Sequence, residues 1–193
     1  MKSTAEIRKE IRAARRAVGP TVRAQKSSLI CKRFYELDSY KTAKHIGAYL
    51  AFDGEADPME LMIAAAGQGK QVYLPIIVGK SEPLLFAPWT PETNMVKNQF
   101  KILEPDVDPS KRVPGSRLDF VVNPLVAFDA RCNRIGVGGG FYDRTFAFLN
   151  EPDKERSVKL VGFAFELQKL KSIESQPWDV RLDSVATESN LYR

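Results

Sequence analysis

The sequence predicts an α/β protein built on a mostly parallel sheet. Apolar, strand-like segments alternate with helical segments from about residue 45 onward, and this alternation favours parallel strands with helices on both faces. A length of 193 residues suits one domain with a sizeable core. We therefore expect a three-layer α/β/α arrangement in a single domain, residues 1–193.

Two helices are predicted before the first strand. In residues 5–18, apolar side chains recur at helical spacing while arginines occupy the other faces. The apolar positions are Ile7, Ile11, Ala14 and Val18, and the arginines are Arg8, Arg12, Arg15 and Arg16. A second helix is predicted over residues 20–34, because Pro20 is favoured as a first helical residue. Together they form a basic helical N-terminus, residues 1–36, packed on the α/β body.

The body of the chain is predicted to alternate between strands and helices. Strands are predicted over residues 45–51, 72–77, 84–89, 118–128, 159–165 and 184–187. One helix is predicted over residues 57–66, with Asp57 as N-cap and Pro58 as the first helical residue. Another is predicted over residues 140–149. Residues 96–115 are predicted to form an irregular excursion.

The positive charge is concentrated at the N-terminus. Residues 1–45 contain 12 basic and 4 acidic side chains, whereas residues 46–193 contain 17 basic and 20 acidic ones. A solvated helix face explains such a cluster, and so does nucleic-acid binding. The cluster lacks interleaved aromatic residues and the body is acidic, so we expect no nucleic-acid partner.

Several classes of protein and site are excluded or disfavoured by composition. No apolar run approaches the roughly 20 residues that span a bilayer, and the first ten residues lack the apolar segment of a secretory signal. We therefore expect a cytoplasmic protein without membrane contact. A single histidine, His45, excludes two-histidine metal sites and is expected at a strand end. Cys31 and Cys132 are expected to be free thiols.

Two segments are candidates for a functional site, because ligands of parallel sheets gather at the carboxyl ends of strands. The first is residues 52–56, where Glu55 is either a functional carboxylate or an exposed loop acid. The second is residues 134–144, in which four glycines fall within five positions. Such a run brings backbone N–H groups close to phosphate oxygens, although a turn needed only for packing is the alternative.

The glycine run matches neither standard nucleotide motif. A dinucleotide-binding motif starting at Gly136 requires glycine where Phe141 stands, and a P-loop ending in Gly79-Lys80-Ser81 requires glycine where Leu74 stands. Arg134 and Arg144 flank the run with positive charge, and Asp143 offers an oxygen ligand for Mg²⁺. The glycine run therefore belongs to another type of anion site.

The segments NPLVAFD (residues 123–129) and RIGVGGGFYDR (residues 134–144) strongly resemble the 5-formyltetrahydrofolate cyclo-ligase family. The resemblance covers nearly the whole chain. It includes the N-terminal helix and residues 52–55, 72–75, 101–105, 161–164 and 178–179. One departure lies at the N-terminus, where Thr4 stands at a position at which the family commonly has lysine.

The resemblance implies ATP- and Mg²⁺-dependent ring closure of 5-formyltetrahydrofolate to 5,10-methenyltetrahydrofolate, with release of ADP and phosphate. Transfer of phosphate to the formyl oxygen would activate the carbon toward N10 and create a leaving group. No enzyme nucleophile is needed, which agrees with the single histidine. The implied fold resembles that of sugar-phosphate isomerases and CoA transferases.

The resemblance also implies roles for individual residues. Glu55 and Tyr142 would be catalytic, and Asp143 and Asp179 would bind Mg²⁺. The implied ATP-binding residues are Thr4, Arg8, Arg134, Ile135, Gly136, Val137, Gly138, Gly139, Gly140, Phe141 and Tyr142. The implied folate-binding residues are Leu50, Glu55, Phe100, Val137, Gly138, Gly139, Gly140 and Phe141.

Two other functions remain open at the level of sequence. A nucleotide-binding regulatory module would keep the glycine loop without turnover, but it would not need Glu55, Asp143 and Asp179 together. An RNA-associated protein would use the basic N-terminus and would bind with a steep salt dependence. For the cyclo-ligase we expect a monomer that acts on folate, including polyglutamated folate.

Overall fold

The computed structural model describes residues 2–98, 102–151 and 156–193. The described residues form five α-helices, which are α1 (Thr4–Ala17), α2 (Pro20–Glu36), α3 (Asp38–Thr42), α4 (Met59–Gly67) and α5 (Phe141–Phe146). A 3₁₀ turn, Ala147–Asn150, extends α5. The two N-terminal helices are thus confirmed within a few residues, whereas the short α3 was not predicted.

The strands are short, and several consist of only two or three residues. They are β1 (His45–Gly47), β2 (Gln71–Ile76), β3 (Leu85–Trp89), β4 (Met95–Lys97), β5 (Leu103–Pro105), β6 (Val113–Pro114), β7 (Phe120–Asn123), β8 (Ala127–Asp129), β9 (Arg134–Ile135), β10 (Lys159–Phe163), β11 (Lys169–Leu170), β12 (Ser184–Ala186) and β13 (Leu191–Tyr192).

An eight-stranded sheet forms the centre of the protein, in the order β13-β12-β10-β7-β1-β2-β3-β6. The five strands from β12 to β2 run parallel to one another. The outer strands β13, β3 and β6 pair antiparallel. The predicted mixed α/β class with a mostly parallel sheet is confirmed, and the antiparallel strands lie at its two edges.

The predicted strand over residues 118–128 is confirmed for β7 but wrong beyond it, because the chain leaves the central sheet after Asn123. Pro124 follows, and proline cannot donate a hydrogen bond to a central ladder. Residues 127–129 form β8 of a separate sheet with the order β11-β8-β9. The irregular stretch predicted over residues 96–115 is also partly wrong, since β4 and β5 pair there as an antiparallel hairpin.

Two element boundaries near the site differ from the prediction. The strand predicted to reach residue 51 ends at Gly47, so Leu50 lies in the following loop. The apolar side chains of residues 48–51 are buried or half-buried beside the core. Their apolar character therefore reflects burial and not strand pairing. Helix α4 begins at Met59 with Pro58 as its N-cap, although Asp57 Oδ1 still accepts a hydrogen bond from the Met59 N–H at 3.0 Å.

The core consists of two main clusters on opposite faces of the sheet. Successive strand residues point to opposite faces, and accordingly Phe120 belongs to one cluster and Val121 to the other. Phe34 of α2 packs on the first face and Phe146 of α5 on the second. Helices therefore cover both faces of the central sheet.

Helix α1 packs on the small sheet and its neighbouring loops instead of on the central sheet. Ile7 and Ile11 contact the cluster formed by Val126, Ala127, Ile135 and Ile173. The predicted apolar stripe thus has a partner at these two positions. This packing sets the face of α1 that carries Arg8, Arg12 and Arg15 against the loops at the end of the sheet.

Gly162 of β10 is expected to tolerate no larger residue. A Cβ atom at this position would lie 2.8 Å from Leu125 Cδ2 and 2.9 Å from Leu182 Cδ1. We expect Gly162→Ala to lower the free energy of unfolding by about 1–3 kcal/mol, because close-packed cores resist added volume. Gly67→Ala, where a Cβ would meet open space, is the control. Equal urea midpoints for the two variants would contradict the expectation.

Candidate active site

A cavity of about 670 Å³ opens at the carboxyl ends of the parallel strands. Its walls come from segments that follow β1, β2 and β7 and from the glycine loop, residues 136–140, between β9 and α5. Polar side chains on the wall are Tyr49, Glu55, Lys97, Glu104, Arg134, Tyr142 and Asp143. The two segments singled out in the sequence therefore meet at one cavity, as the rule for parallel sheets predicts.

Glu55 is a buried carboxylate on the cavity wall. Its residue is 5% exposed. The Oε2 atom accepts a hydrogen bond from the Phe52 N–H at 3.3 Å, whereas Oε1 has no hydrogen-bond partner among the described residues. Burial raises the pKa of Glu55 to about 7, against the opposing effect of the nearby Arg15. An exposed loop acid would show none of these properties.

Two tyrosines lie close enough to Glu55 to interact with its charge. Burial, and next the negative charge of Glu55, raise the pKa of Tyr142 above its ordinary value. The same two causes, in the same order, raise the pKa of Tyr49. Tyr49 donates its hydroxyl to the Ala56 carbonyl at 2.6 Å. Both phenols therefore stay protonated at neutral pH and add no charge to the cavity wall. The charged side chains among the described lining residues are Glu55, Lys97, Glu104, Arg134 and Asp143.

The glycine loop adopts a backbone that requires glycine at two positions. Gly138 has φ = 111° and Gly140 has φ = 63°, and side chains are strained in this region. Gly140 is the N-cap residue of α5, so no side chain caps the first N–H groups of that helix. The anion site predicted at this helix start stays a prediction, and the absence of a capping side chain is compatible with it.

Helix α1 reaches the glycine loop through Arg8. The Arg8 Nε–H donates to the Gly136 carbonyl at 2.8 Å, and a Cβ on Gly138 would lie 3.5 Å from Arg8 Cζ. Arg8 is therefore brought beside the loop as the resemblance implies. Thr4 lies at the exposed first turn of α1 and is not among the residues that line the cavity.

Arg134 and Asp143 form an ion pair at the far end of the loop. Arg134 Nη2 donates to Asp143 Oδ1 at 2.6 Å, and its side chain is 5% exposed. Asp143 Oδ1 also accepts the Val180 N–H at 3.1 Å, and Arg134 donates to the Val180 carbonyl. Asp179 precedes Val180 and acts on the charge of Arg134. Asp143 lines the cavity, whereas Asp179, whose Oδ2 accepts the Gln176 N–H at 2.8 Å, is not among the cavity-lining residues.

The other predicted residues have varied positions. Leu50, Gly136, Val137, Gly140 and Phe141 line the cavity. Ile135 is buried in the small cluster beneath α1, so its side chain serves packing. Phe100 lies outside the described residues. Arg144, which flanks the glycine run, donates to the Lys80 carbonyl at 3.0 Å and lies over the Phe141 ring.

Several residues at the site were not predicted from the sequence. Asp53, for which no role was predicted, accepts hydrogen bonds from three arginines of α1. Arg15 was predicted on a face outside the apolar stripe, whereas it is 1% exposed. Glu104 and Lys97 reach the cavity from the unpredicted hairpin. The spacing of Arg8, Arg12 and Arg15 along one helix face was the sequence feature that could have indicated a shared contact surface for these arginines.

The histidine and the cysteines lie elsewhere. His45 begins β1, and its Nδ1 is 3.2 Å from the Tyr73 hydroxyl. Cys31 and Cys132 are free and buried, and burial raises the pKa of Cys31 to about 12. The predicted strand-end histidine and free thiols are confirmed. In the described part of the chain, no helix combines the length and apolar composition needed to cross a membrane.

Comparison with known proteins gives one consistent result. The family model described as "5-formyltetrahydrofolate cyclo-ligase family" matches residues 1–188. A 5-formyltetrahydrofolate cyclo-ligase from Haemophilus influenzae is 36% identical over 178 residues, which is 92% of this chain and 93% of the relative. The Escherichia coli K12 protein of the same name is 35% identical over 183 residues, or 94% of this chain and 98% of the relative.

The solved structures agree with the sequence relatives. The NMR structure of Aquifex aeolicus 5,10-methenyltetrahydrofolate synthetase superposes with a TM-score of 0.82 at 27% identity, covering 98% of this chain and 92% of the other. A synthetase structure from Mycoplasma pneumoniae, 21% identical with a TM-score of 0.73, shares the fold. Because the family model covers nearly all of the sequence and the bacterial relatives match it end to end, this chain belongs to the 5-formyltetrahydrofolate cyclo-ligase family.

Proposed function

We propose that the protein closes the ring of 5-formyltetrahydrofolate to 5,10-methenyltetrahydrofolate, using ATP and Mg²⁺ and releasing ADP and phosphate. One observation carries this proposal beyond family membership. The buried Glu55, with one oxygen free of hydrogen bonds, faces the same cavity as the glycine loop and the Arg134–Asp143 pair. This arrangement supports a proposal in which a carboxylate meets the folate and the glycine loop meets ATP in the same cavity.

The reaction needs activation of a poor electrophile. The formamide nitrogen donates into the carbonyl group, and the formyl oxygen is a poor leaving group. Transfer of the γ-phosphoryl group from ATP to that oxygen breaks the bond to ADP and forms a C–O–P linkage. N10 then attacks the carbon, the C–O bond breaks, and phosphate leaves. Positioning and charge stabilisation are the protein's main contributions to such chemistry.

The phosphates are proposed to bind along the glycine loop. Gly138 and Gly140 allow the backbone to approach the phosphate oxygens closely, and the uncapped start of α5 offers N–H donors. Arg8, held beside Gly136 by its Nε–H hydrogen bond, supplies positive charge at one end of the loop. Arg134 supplies it at the other end. The loop and its two arginines thus form a cradle for a polyphosphate.

Asp143 and Asp179 fit the ligand requirements of Mg²⁺. This ion is usually held by one or two carboxylates together with waters and substrate phosphate oxygens. Among the described residues there is no cluster of three or more acidic, histidine or cysteine side chains that could hold a metal without such help. Bound Mg²⁺ would neutralise phosphate charge during transfer. Asp143, 27% exposed and on the cavity wall, would hold it beside the phosphates.

Glu55 is proposed to accept the proton that N10 loses when it attacks. Its Oε1 atom is free to bond to the folate, and a pKa of about 7 suits a base that works near neutral pH. Tyr142, kept neutral by burial and by the charge of Glu55, can donate its hydroxyl to the reacting groups. Leu50 and Phe141 supply apolar surface for the pterin on the same wall.

The direct test follows ADP release by purified protein with MgATP, with and without 5-formyltetrahydrofolate, together with the absorbance of the methenyl product. We expect ADP release that depends on the folate and matches product formation one to one. ADP release indifferent to the folate, or no methenyl product, would contradict the proposal, and ATP binding without any ADP release would instead support a nucleotide-binding module. Tight binding of RNA with a steep salt dependence would support the RNA-associated alternative.

Glu55→Gln is expected to lower turnover by at least about tenfold, since general-base catalysis contributes this much or more. Because an acid with a raised pKa must lose its proton before it can act as a base, kcat/KM of the unmodified protein should fall as the pH drops below about 7. Glu55→Gln should lack that decline. Glu60→Gln on the exposed surface of α4 is the matched control. A wild-type rate and pH profile in Glu55→Gln would remove the assignment.

Asp143→Asn is expected to lower turnover by at least about tenfold and to raise the Mg²⁺ concentration that gives half-maximal rate. It also weakens the pairing of the buried Arg134, so thermal unfolding must be measured on the same samples. Asp38→Asn, at a side chain that is 94% exposed, is the control. An unchanged Mg²⁺ dependence in a folded variant would argue against Asp143 as a metal ligand.

Several finer expectations belong to the same proposal. We propose a monomeric cytoplasmic enzyme in which residues 1–193 act as one domain, with a three-layer fold of the kind found in sugar-phosphate isomerases and CoA transferases. Its folate substrate includes polyglutamated forms. The location of the cavity at the carboxyl ends of parallel strands supports the fold likeness.

A further inference from the structure

Arg15 is buried, whereas the other arginines of helix α1 are half-buried or exposed. Its side chain is 1% exposed, although the sequence pattern indicates only that it lies off the apolar stripe. The Nε–H and Nη2–H groups donate to the Asp53 carbonyl at 3.2 and 3.1 Å, and Nη1–H donates to the Leu125 carbonyl at 3.4 Å. The guanidinium is thereby fixed between the loop that carries Glu55 and the loop that follows β7.

Arg15 faces Glu55 without forming a hydrogen bond to it. Arg15 Nη1 lies 3.5 Å from Glu55 Oε1, yet Oε1 has no hydrogen-bond partner among the described residues. The cation therefore stabilises the charge of the carboxylate and leaves the lone pairs of that oxygen available to the cavity. Burying a charge pair lowers the stability of the fold when one carboxylate oxygen is left without a hydrogen bond. This arrangement therefore indicates a functional role.

The backbone around Glu55 is shaped to meet α1. Asp53 and Gly54 both have positive φ, at 50° and 73°, which is a costly conformation for a residue with a side chain. A Cβ atom on Gly54 would lie 3.2 Å from the Arg15 carbonyl oxygen. The turn thus lies directly against the helix, and Arg15 holds it through the Asp53 carbonyl group. The position of the Glu55 carboxylate consequently depends on α1.

Charged and titratable groups surround Glu55 on several sides. Arg15 and Arg12 of α1 favour its ionised form, whereas burial and the neighbouring Asp53 disfavour it. Tyr49, after β1, and Tyr142, of α5, also interact with its charge. Among the charged neighbours, Arg15 has the largest effect on the Glu55 carboxyl. Loss of this one cation would leave the Phe52 hydrogen bond and Arg12 as the groups that oppose the effect of burial.

We propose that Arg15 is a positioning residue for catalysis, which holds the Glu55 carboxylate in place and in its ionised form so that it can accept the N10 proton. This inference rests on the proposed ring closure. It adds a residue that touches neither ATP nor folate in the proposed arrangement. Through Arg8 and Arg15, one helix would align the phosphate loop and the base.

The test compares Arg15→Gln, Arg15→Lys and a control, Arg16→Gln. Arg16 also bonds to Asp53, but its side chain is 57% exposed and does not contact Glu55. We expect Arg15→Gln to move the acidic limb of the kcat/KM profile to higher pH by at least about one unit and to lower kcat at neutral pH about tenfold. Arg15→Lys should keep the limb within about half a unit, and Arg16→Gln should keep turnover within about twofold.

A double-mutant cycle separates positioning from a general effect on the fold. Because Arg15 is proposed to act through Glu55, its replacement should cause little further loss of turnover in the Glu55→Gln background. If Arg15→Gln does not fold, the same cycle is measured with Arg15→Lys. We expect Arg15→Lys to lower kcat several-fold, and this loss should disappear in the Glu55→Gln background. Circular dichroism and thermal unfolding establish which variants are folded.

Two results would overturn the inference. One is an unshifted acidic limb in a folded Arg15→Gln variant. The other is an equal loss of turnover from Arg15 replacement with and without the Glu55→Gln substitution, for whichever Arg15 variant folds. Failure of the proposed function is distinguishable, because the unmodified protein would then show no folate-dependent ADP release at any pH.

Discussion

The site depends on the contact between helix α1 and two loops that are distant in sequence. Arg8 hydrogen-bonds to the glycine loop, and Arg12 and Arg15 bind Asp53 in the loop that carries Glu55. Ile7 and Ile11 anchor the helix by packing on the small sheet. The positive charge of α1 is therefore used largely for contacts within the molecule.

Charged side chains at the cavity form two ion pairs, and in each pair the carboxylate faces the cavity. Arg134 is compensated by Asp143, and Glu55 is compensated by Arg15. In each pair the arginine is the more deeply buried partner or equally buried, and the carboxylate lies on the cavity wall. Positioning of this kind suits phosphoryl transfer, in which the protein binds and orients but forms no covalent bond. The buried thiols and the strand-end histidine are consistent with that division of roles.

Much of the fold was predictable, because it follows from local patterns. The helical repeat of α1, the proline at the start of α2 and the apolar runs of β2 and β10 all correspond to observed elements. The failures share one cause. Residues 48–51 and 124–126 are apolar because they are buried, and burial occurs in loops that line a core or a cavity as well as in strands. A two-residue strand such as β11 is held by pairing with a partner distant in sequence, here β8, which a local pattern does not record.

What the sequence determined by itself is the chemistry of the parts. The glycine run, the loop acid Glu55 and the carboxylate Asp143 were identifiable as candidates from residue type and position in the chain, whereas Asp179 was implied only by the family resemblance. Only the tertiary structure decided that Glu55 is buried beside Arg15 with a pKa of about 7. That pKa arises from desolvation, opposed by a cation 40 positions earlier in the chain. Both are properties of the packed interior, where distance in space, not in sequence, sets the electrostatic energy.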